Sequence, residues 1–336
     1  MNYSECIVPN RSCKPVQSPS LALIESIVRR AVLECARQSA REPAASGDPL
    51  ELFQSPAVLA IKKEIVRTGR KLWQRQYVDG NGGNISARVS DKYIVCSPTL
   101  LSKGDLQVED LVLVDLESRR ICGHRPQTSE LLLHLEIYKT VPQARAVIHC
   151  HPPYATAHAV AGVVPKGNLV PEQEVFIGPV ALSPYETPGT PEFARTVHSL
   201  AKDHNTILLA NHGVVCWADT VTHAEWYVEI VDTYCKTILI ASQLRPELKE
   251  ISPGKIAELL AIKQKLGMSL PDPRIAKDRS AEPGKLKAVP EAAIDAYIGA
   301  AYPAQFPLSG GLDAAEMDQL VCRLTEEVAA FLEKNR

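Results

Sequence analysis

The sequence has 336 residues, of which 45% are apolar and 23% charged, and its formal net charge is −2. This composition is typical of a globular protein, and the near-neutral charge excludes a basic field that would attract nucleic acid or an anionic membrane. No apolar run reaches the length of a bilayer span, and the N-terminus lacks the basic and apolar regions of a signal peptide.

Cysteine usage indicates the compartment. The nine cysteines are scattered, and their odd number argues against a disulfide framework. We therefore expect most of them to be small core residues in a protein of the reducing cytoplasm.

The pattern of apolar residues and chain breakers divides the chain into three parts. Residues 52–265 carry strong secondary-structure signals and form the predicted catalytic domain, whereas 1–51 and 266–336 each combine a tract rich in Pro, Gly or Ser with one short amphipathic helix. The apolar stripes of these two helices are Ile24, Ile27, Val28, Ala31, Val32 and Cys35, and Met317, Leu320, Val321, Leu324, Val328 and Phe331.

Helices and strands are mixed in the central part. In chain order the sequence predicts a helix over 56–77, a glycine-rich turn over 79–84, strands over 85–89, 93–96 and 111–114, a helix over 130–138, a strand over 144–150, a helix over 154–161, a strand over 206–210 and a helix over 219–243. Because β-α-β units do not alternate regularly, we expect an α/β protein of the α+β type, with a mixed sheet flanked by helices.

Three histidines form the sharpest local signal. His149 and His151 end an apolar strand, where residues i and i+2 point to the same face, and His212 follows a second apolar strand. Imidazoles that converge in this way can hold a metal ion with one coordination position left open, as catalytic sites do. The residues alone leave open the alternative of three histidines with satisfied hydrogen bonds at strand ends.

Glu130 follows Thr128 and Ser129, which are typical residues of a helix N-cap. Its carboxylate is a candidate acid/base beside the metal, although a charge favoured by the helix dipole is the simpler interpretation from the sequence alone. The remaining histidines have no comparable context and are predicted to be surface or packing residues: His124, His134, His158, His198, His204 and His223.

Three polar segments predict an anion pocket. The backbone N–H groups of the turn 80–84 could hold an anion, and the segments 97–99 and 128–129 add hydroxyl groups. Each segment is a weak signal alone, and the turn matches neither the Walker nor the dinucleotide-binding pattern.

Together these motifs resemble the class II aldolase/adducin family, and most of all its L-fuculose-1-phosphate aldolase branch. The resemblance covers about residues 58–245 and is carried by GGNIS (82–86), SPT (97–99), TSE (128–130), HCHPPYATAHA (149–159) and NHG (211–213). It implies a mainly antiparallel mixed sheet with helices on both faces and a homotetramer. It further implies Zn²⁺ held by His149, His151 and His212, proton transfer by Glu130, and a substrate phosphate surrounded by Gly83, Asn84, Thr99, Thr128 and Ser129.

Two departures from the aldolase pattern leave the reaction open. Leu100 stands where the aldolase has a glycine, so it could narrow the phosphate pocket, and the stretch 170–176 lacks the tyrosine that protonates the aldehyde oxygen. The predicted reaction is cleavage of L-fuculose or L-rhamnulose 1-phosphate to dihydroxyacetone phosphate and lactaldehyde. The alternatives are a metal-dependent decarboxylase of a sugar acid or hydroxy-aromatic acid and an adducin-like module without activity.

The two terminal helices resemble encapsulation peptides, which target enzymes into bacterial microcompartments. The segments concerned are IESIVRRAVLEC (24–35) and MDQLVCRLTEEVAAFL (317–332). This resemblance implies docking on shell proteins and a place in the microcompartment lumen. Packing of both helices on the enzyme itself is the alternative.

Overall fold

The computed structural model describes residues 48–266. Both predicted terminal helices lie outside this range. No helix within it is long and apolar enough to cross a bilayer.

The described part is built on one eight-stranded sheet in the order β4-β3-β2-β1-β5-β8-β7-β6. All neighbouring strands are antiparallel except β6 and β7. The strands are β1 (Asn84–Arg88), β2 (Tyr93–Cys96), β3 (Val112–Asp115), β4 (Arg120–Cys122), β5 (Ala146–Cys150), β6 (Ala181–Ser183), β7 (Thr206–Leu209) and β8 (Gly213–Ala218). The prediction of a mainly antiparallel mixed sheet is confirmed.

The helices lie on both faces of this sheet. They are α1 (Pro49–Gln54), α2 (Pro56–Gln74), α3 (Leu131–Thr140), α4 (Pro153–Ala161), α5 (Pro191–Arg195), α6 (Val221–Leu244) and α7 (Pro253–Lys265), together with a π-helical turn (Gln173–Ile177). Helices α3 and α5 share a buried apolar cluster with alternate residues of the central strands, such as Val147 and Val215. Helices α2 and α6 contact β1, β5 and β8 on the opposite face of the sheet. The strand residues between those of the apolar cluster point to this face, because side chains alternate along a strand.

Local sequence explains where several helices begin. Ser55 and Thr220 accept hydrogen bonds from backbone N–H groups in the first turns of α2 and α6, as N-cap residues do. Helix α4 begins differently, because the buried Asp232 carboxylate accepts bonds from the backbone N–H groups of Tyr154 and Ala155 at 2.7 and 3.0 Å. This contact joins α4 to α6 close to the end of β5, where two of the candidate metal ligands lie.

The sequence prediction missed β8, β4, β6 and α7. Strand β8 matters most, because it lies at the centre of the sheet between β5 and β7. It is a short apolar run, GVVCWA, between the turn at His212 and helix α6. Such a run is too short to show a clear period, so the sequence pattern does not indicate a strand there.

Candidate active site

The register of the sheet brings the three histidines together. On β5, His149 lies opposite Asn84 of β1 on one side and Val215 of β8 on the other, and Cys150 pairs with Val214. His151, the residue after β5, therefore comes beside the β7–β8 turn that carries His212. The convergence predicted from two apolar strands depends on β8, which places that turn next to β5.

The three imidazoles face one point. The Nε2 atoms of His149 and His151 are 3.1 Å apart, and the ring centroids of His212 lie 4.6 Å from His149 and 5.2 Å from His151. In residues 48–266 these histidines form the one group of three or more His, Cys, Asp or Glu residues whose ligand atoms all lie within 4.8 Å of one another. Ligand nitrogens of a tetrahedral zinc ion are about 3.3 Å apart, given Zn–N bonds of about 2.0–2.1 Å.

The protonation of His149 suits a metal ligand. Its Nδ1 donates a hydrogen bond to the Val214 carbonyl oxygen at 3.0 Å, which leaves the lone pair of Nε2 facing the other two rings. Burial holds the pKa of His149 well below its usual value and, to a lesser degree, lowers that of His212. Both rings are therefore neutral near pH 7, as ligation requires. These donors fit a divalent ion of the zinc type, for which imidazole is a suitable ligand.

Glycines on two sides make room for the His151 ring. A Cβ atom at Gly213 would lie 2.5 Å from the Cys150 carbonyl oxygen and 2.7 Å from Cδ2 of His151, and one at Gly82 would lie 3.2 Å from Cε1 of His151. Gly213 therefore permits a close approach between the β7–β8 turn and the end of β5.

Replacing Gly213 by alanine is therefore expected to displace His151 and weaken metal binding by about 10- to 100-fold, as loss of outer-shell support does. Competition with a chromogenic chelator measures this affinity. Gly254→Ala is the matched control, because a Cβ atom at Gly254 meets nothing within 4 Å. Equal affinities for the two variants would contradict this account of Gly213.

Glu130 lies against two of these three rings. It is the N-cap residue of α3 rather than the first residue of the helix, which corrects the predicted boundary. Its Oε2 is 3.2 Å from Nε2 of His149, and its Oε1 is 3.5 Å from Nε2 of His212. The side chain caps no backbone N–H of α3, so its carboxylate faces the histidines instead of serving the helix.

The three segments of the predicted anion pocket are joined by hydrogen bonds. The Ser97 hydroxyl accepts from the Ile85 backbone N–H at 3.1 Å, and the Thr128 N–H donates to the Ser97 carbonyl at 3.1 Å. Gly83 adopts the left-handed conformation, with φ of 68°. A Cβ atom there would lie 3.0 Å from the His149 carbonyl oxygen, so the glycine-rich turn lies directly against β5.

Side chains of these segments differ in exposure. Asn84 and Thr128 are buried, Thr99 is half-buried and Ser129 is exposed. Leu100, which was expected to narrow the pocket, is 78% exposed and also adopts the left-handed conformation, with φ of 56°. This conformation favours the glycine that the aldolase has at this position.

Lys103 is a buried cation that sequence reasoning missed. Its Nζ donates to the Leu101 carbonyl at 2.7 Å and to the Asn81 carbonyl at 3.1 Å, which joins the glycine-rich turn to the 97–101 loop. Burial lowers the pKa of Lys103 to about 8, against the opposing effect of Glu130. It lies four residues beyond Thr99 in a loop with no periodic pattern, so only its nearness to the SPT motif could have indicated it.

His134 was predicted to be a surface or packing residue, and it proves to be a fully buried neighbour of the site. Its Nε2 contacts Asn84 Oδ1, and Asn84 Nδ2 donates to Glu130 Oε2 at 2.8 Å. The i, i+4 spacing of Glu130 and His134 on one helix was the available signal.

Comparison with known proteins matches a family to the part of the chain that carries this site. Residues 63–239 match the Class II Aldolase and Adducin N-terminal domain. The chain is 37% identical over 175 residues to an L-fuculose phosphate aldolase of Methanococcus vannielii, covering 52% of this chain and 93% of the relative. It is 35% identical over 161 residues to a 3-oxo-tetronate 4-phosphate decarboxylase of Haemophilus influenzae, covering 47% and 76%.

Solved structures give the same result. An L-fuculose 1-phosphate aldolase superposes with a TM-score of 0.57 at 25% identity, over 62% of this chain and 96% of the other. The Escherichia coli protein YgbL superposes with a TM-score of 0.56 at 29% identity, over 60% and 98%. The prediction of an enzyme of this class, a lyase, is confirmed. Since the domain match extends over more than half of the sequence, the chain belongs to the class II aldolase and adducin family.

Proposed function

We propose that this protein is a divalent-metal lyase that releases dihydroxyacetone phosphate from a deoxyketose 1-phosphate, such as L-fuculose or L-rhamnulose 1-phosphate. The observation that carries the proposal is the Glu130 carboxylate, which lies within 3.5 Å of two of the three facing histidines. His149, His151 and His212 would hold the ion, with Zn²⁺ as the first choice. Such an ion would draw electron density from the substrate ketone and stabilise negative charge on the adjacent carbon.

Glu130 supplies the proton transfer. In retro-aldol cleavage the C3–C4 bond breaks, the C4 hydroxyl loses its proton to solvent as it becomes the aldehyde, and C3 takes a proton. Glu130 gives C3 that proton, and in the condensation direction it removes the same proton from the hydroxymethyl carbon of dihydroxyacetone phosphate. Its two oxygens contact different histidines, so one carboxylate reaches across the site.

The phosphate is assigned to the loops around the glycine-rich turn. Gly83 and Asn84 contribute the turn itself, and Thr99, Thr128 and Ser129 contribute hydroxyl and backbone N–H groups. Helix α3 begins at Leu131, two residues after Ser129, so the positive end of its dipole also lies near this region. Lys103 adds a buried positive charge behind the turn. A sugar-phosphate substrate fits the family as well.

The two activities named for the relatives share half of their chemistry. Loss of CO₂ from 3-oxo-tetronate 4-phosphate breaks the C1–C2 bond and leaves dihydroxyacetone phosphate once C2 has taken a proton. Retro-aldol cleavage of a ketose 1-phosphate leaves the same molecule. Both reactions therefore need the same ketone, phosphate and protonation sites, and they differ in the leaving group.

Decarboxylation is the second candidate because of one observation. The segment 170–176, which carries the tyrosine acid in the aldolase, includes the buried Phe176 and no tyrosine. Loss of CO₂ needs no such acid. In favour of the aldolase, the chain is 37% identical to an L-fuculose phosphate aldolase over 93% of that relative, against 35% over 76% for the decarboxylase. This similarity leads us to place aldol cleavage first.

Product analysis separates the two reactions. We expect the zinc-loaded protein to convert dihydroxyacetone phosphate and L-lactaldehyde into a six-carbon ketose phosphate, detected by mass spectrometry. In parallel, 3-oxo-tetronate 4-phosphate is assayed for release of CO₂. Ketose phosphate without CO₂ release supports the aldolase, and CO₂ release without ketose phosphate supports the decarboxylase. If protein with stoichiometric metal forms neither product, both proposed reactions are wrong.

Three further expectations stay predictions. They are the domain limits 1–51, 52–265 and 266–336, the homotetramer, and the docking of the terminal helices on shell proteins of a microcompartment. The docking segments lie outside the described residues.

A further inference from the structure

A chain of buried polar side chains runs between strand β1 and helix α3 and ends at the proposed acid/base. Asn84 and Ser86 point to one face of β1 because they are two residues apart, and Glu130, His134 and Tyr138 form one stripe along α3 because they are spaced by four. The two sets alternate in space. All five are buried, and Ser86, His134 and Tyr138 are at most 1% exposed.

Hydrogen bonds connect each member of the chain to the next. Tyr138 Oη is 2.9 Å from Ser86 Oγ, which is 2.6 Å from His134 Nδ1. His134 Nε2 contacts Asn84 Oδ1, and Asn84 Nδ2 donates to Glu130 Oε2 at 2.8 Å.

The direction of these hydrogen bonds is fixed from the Glu130 end. The Asn84 amide nitrogen donates to Glu130 Oε2, so the amide oxygen faces His134 Nε2 and must receive a proton from it. His134 Nδ1 then carries no proton and accepts from the Ser86 hydroxyl, and the Ser86 oxygen in turn accepts from the Tyr138 O–H. All donors therefore point towards Glu130.

The charge state of the two ring residues agrees with this direction. Burial lowers the pKa of His134 to about 3, so the ring is neutral and carries one N–H. Burial also raises the pKa of Tyr138, which keeps its hydroxyl proton. With one proton per link, reversal of one bond would force reversal of its neighbours or leave two acceptors in contact.

We propose that His134, supported by Ser86 and Tyr138, is a positioning residue that fixes the orientation of the Asn84 amide and through it the Glu130 carboxylate. This inference rests on the proposed role of Glu130 in proton transfer. The Asn84 amide could otherwise rotate by half a turn and present its oxygen to Glu130. His134 prevents that rotation because its Nε2–H requires an acceptor at the position of Asn84 Oδ1.

Two amide substitutions at His134 separate positioning from packing. A glutamine amide reaches about as far as Nε2 of histidine and can donate to Asn84, whereas an asparagine amide reaches about as far as Nδ1 and meets only Ser86. Both variants lose one buried hydrogen bond. We expect His134→Asn to lower kcat by about 10- to 100-fold with KM and bound metal near the wild-type values, as loss of outer-shell support does. His134→Gln should keep most of the activity.

The reaction assayed is whichever one the wild type catalyses. Thr68→Val is the control for loss of a buried hydrogen bond elsewhere, because the Thr68 hydroxyl donates to Glu225 at 3.1 Å in the contact between α2 and α6. It should lose stability without loss of kcat. Equal kcat for the Asn and Gln variants would overturn the inference.

A spectroscopic measurement tests the direction without reference to activity. In wild-type protein labelled with ¹³C and ¹⁵N, His134 should show a protonated Nε2 and an unprotonated Nδ1, with the ring signals assigned by through-bond correlation to the His134 backbone. A proton on Nδ1 would overturn the inference even if both variants failed to fold. A wild type without lyase activity would refute the proposed function instead, and the nitrogen shifts would still decide the direction of the chain.

Discussion

Replacing Glu130 by glutamine is expected to slow exchange of the hydroxymethyl hydrogen of dihydroxyacetone phosphate with solvent deuterium by about 100- to 10,000-fold. This exchange needs only the half-reaction that aldol cleavage and decarboxylation share, so it tests the proton-transfer role whichever leaving group is correct. Glutamine keeps the size of the side chain and loses the basic oxygen. General acid–base catalysis contributes about 100- to 10,000-fold to a rate. The exchange rate, followed by proton NMR in D₂O, should therefore decrease by a factor in that range.

Metal content separates this effect from collapse of the site. The contacts of Glu130 at 3.2 and 3.5 Å are with histidines that also contact one another, so the variant should still bind one ion per chain. Glu136→Gln is the matched control, because Glu136 lies on the same helix and contacts the exposed His198. Undiminished exchange in Glu130→Gln would assign the proton transfer to another group and return Glu130 to the role of a charge at a helix terminus.

Strand periodicity and residue type were enough to predict much of the site. His149 and His151 share a face of β5 because side chains alternate along a strand, and Gly213 lies beside them because only a residue without a side chain fits there. These are local rules that act over a few residues. The resemblance to the family added Glu130 and the anion loops, whose local patterns are weak.

The parts that were missed depend on contacts between distant segments. His134 joins the site because β1 and α3 interleave, and its partners Asn84 and Ser86 are 50 and 48 residues away. Lys103 bonds two backbone carbonyl groups, which no side-chain pattern indicates. Strand β8 was hidden because a short apolar run beside a helix has no clear period, and its place at the centre of the sheet is set by pairing with β5 and β7.

Replacing His151 by alanine is expected to remove both the metal and the activity. His151 is the ligand of choice for this test, because His149 is fully buried and holds the Val214 carbonyl, whereas the His151 side chain is 25% exposed. The backbone N–H of His151 bonds the Tyr77 carbonyl at 2.8 Å, and alanine keeps that bond. The fold should therefore survive.

Two measurements detect the loss of the metal in His151→Ala. The metal content, measured by elemental analysis after gel filtration, should decrease from about one ion per chain to a trace. Loss of a ligand lowers the metal affinity by more than the roughly 100-fold that follows loss of an outer-shell partner. Cobalt-substituted wild type should show the strong visible absorption of a low-coordinate site, because coordination geometry is diagnostic for transition metals. His151→Ala should lack it.

The control is another histidine that contacts a carboxylate. His198 bonds Glu136 and Thr140 at the surface and lies outside the group of three, so His198→Ala should keep metal, spectrum and turnover. If His151→Ala kept both metal and turnover, the three histidines would be satisfied strand-end residues and the ion would bind elsewhere. If it kept turnover but lost the metal, the chemistry would depend on Glu130 and its hydrogen-bonded chain. The protein would then share the fold of the family but not its use of a metal ion.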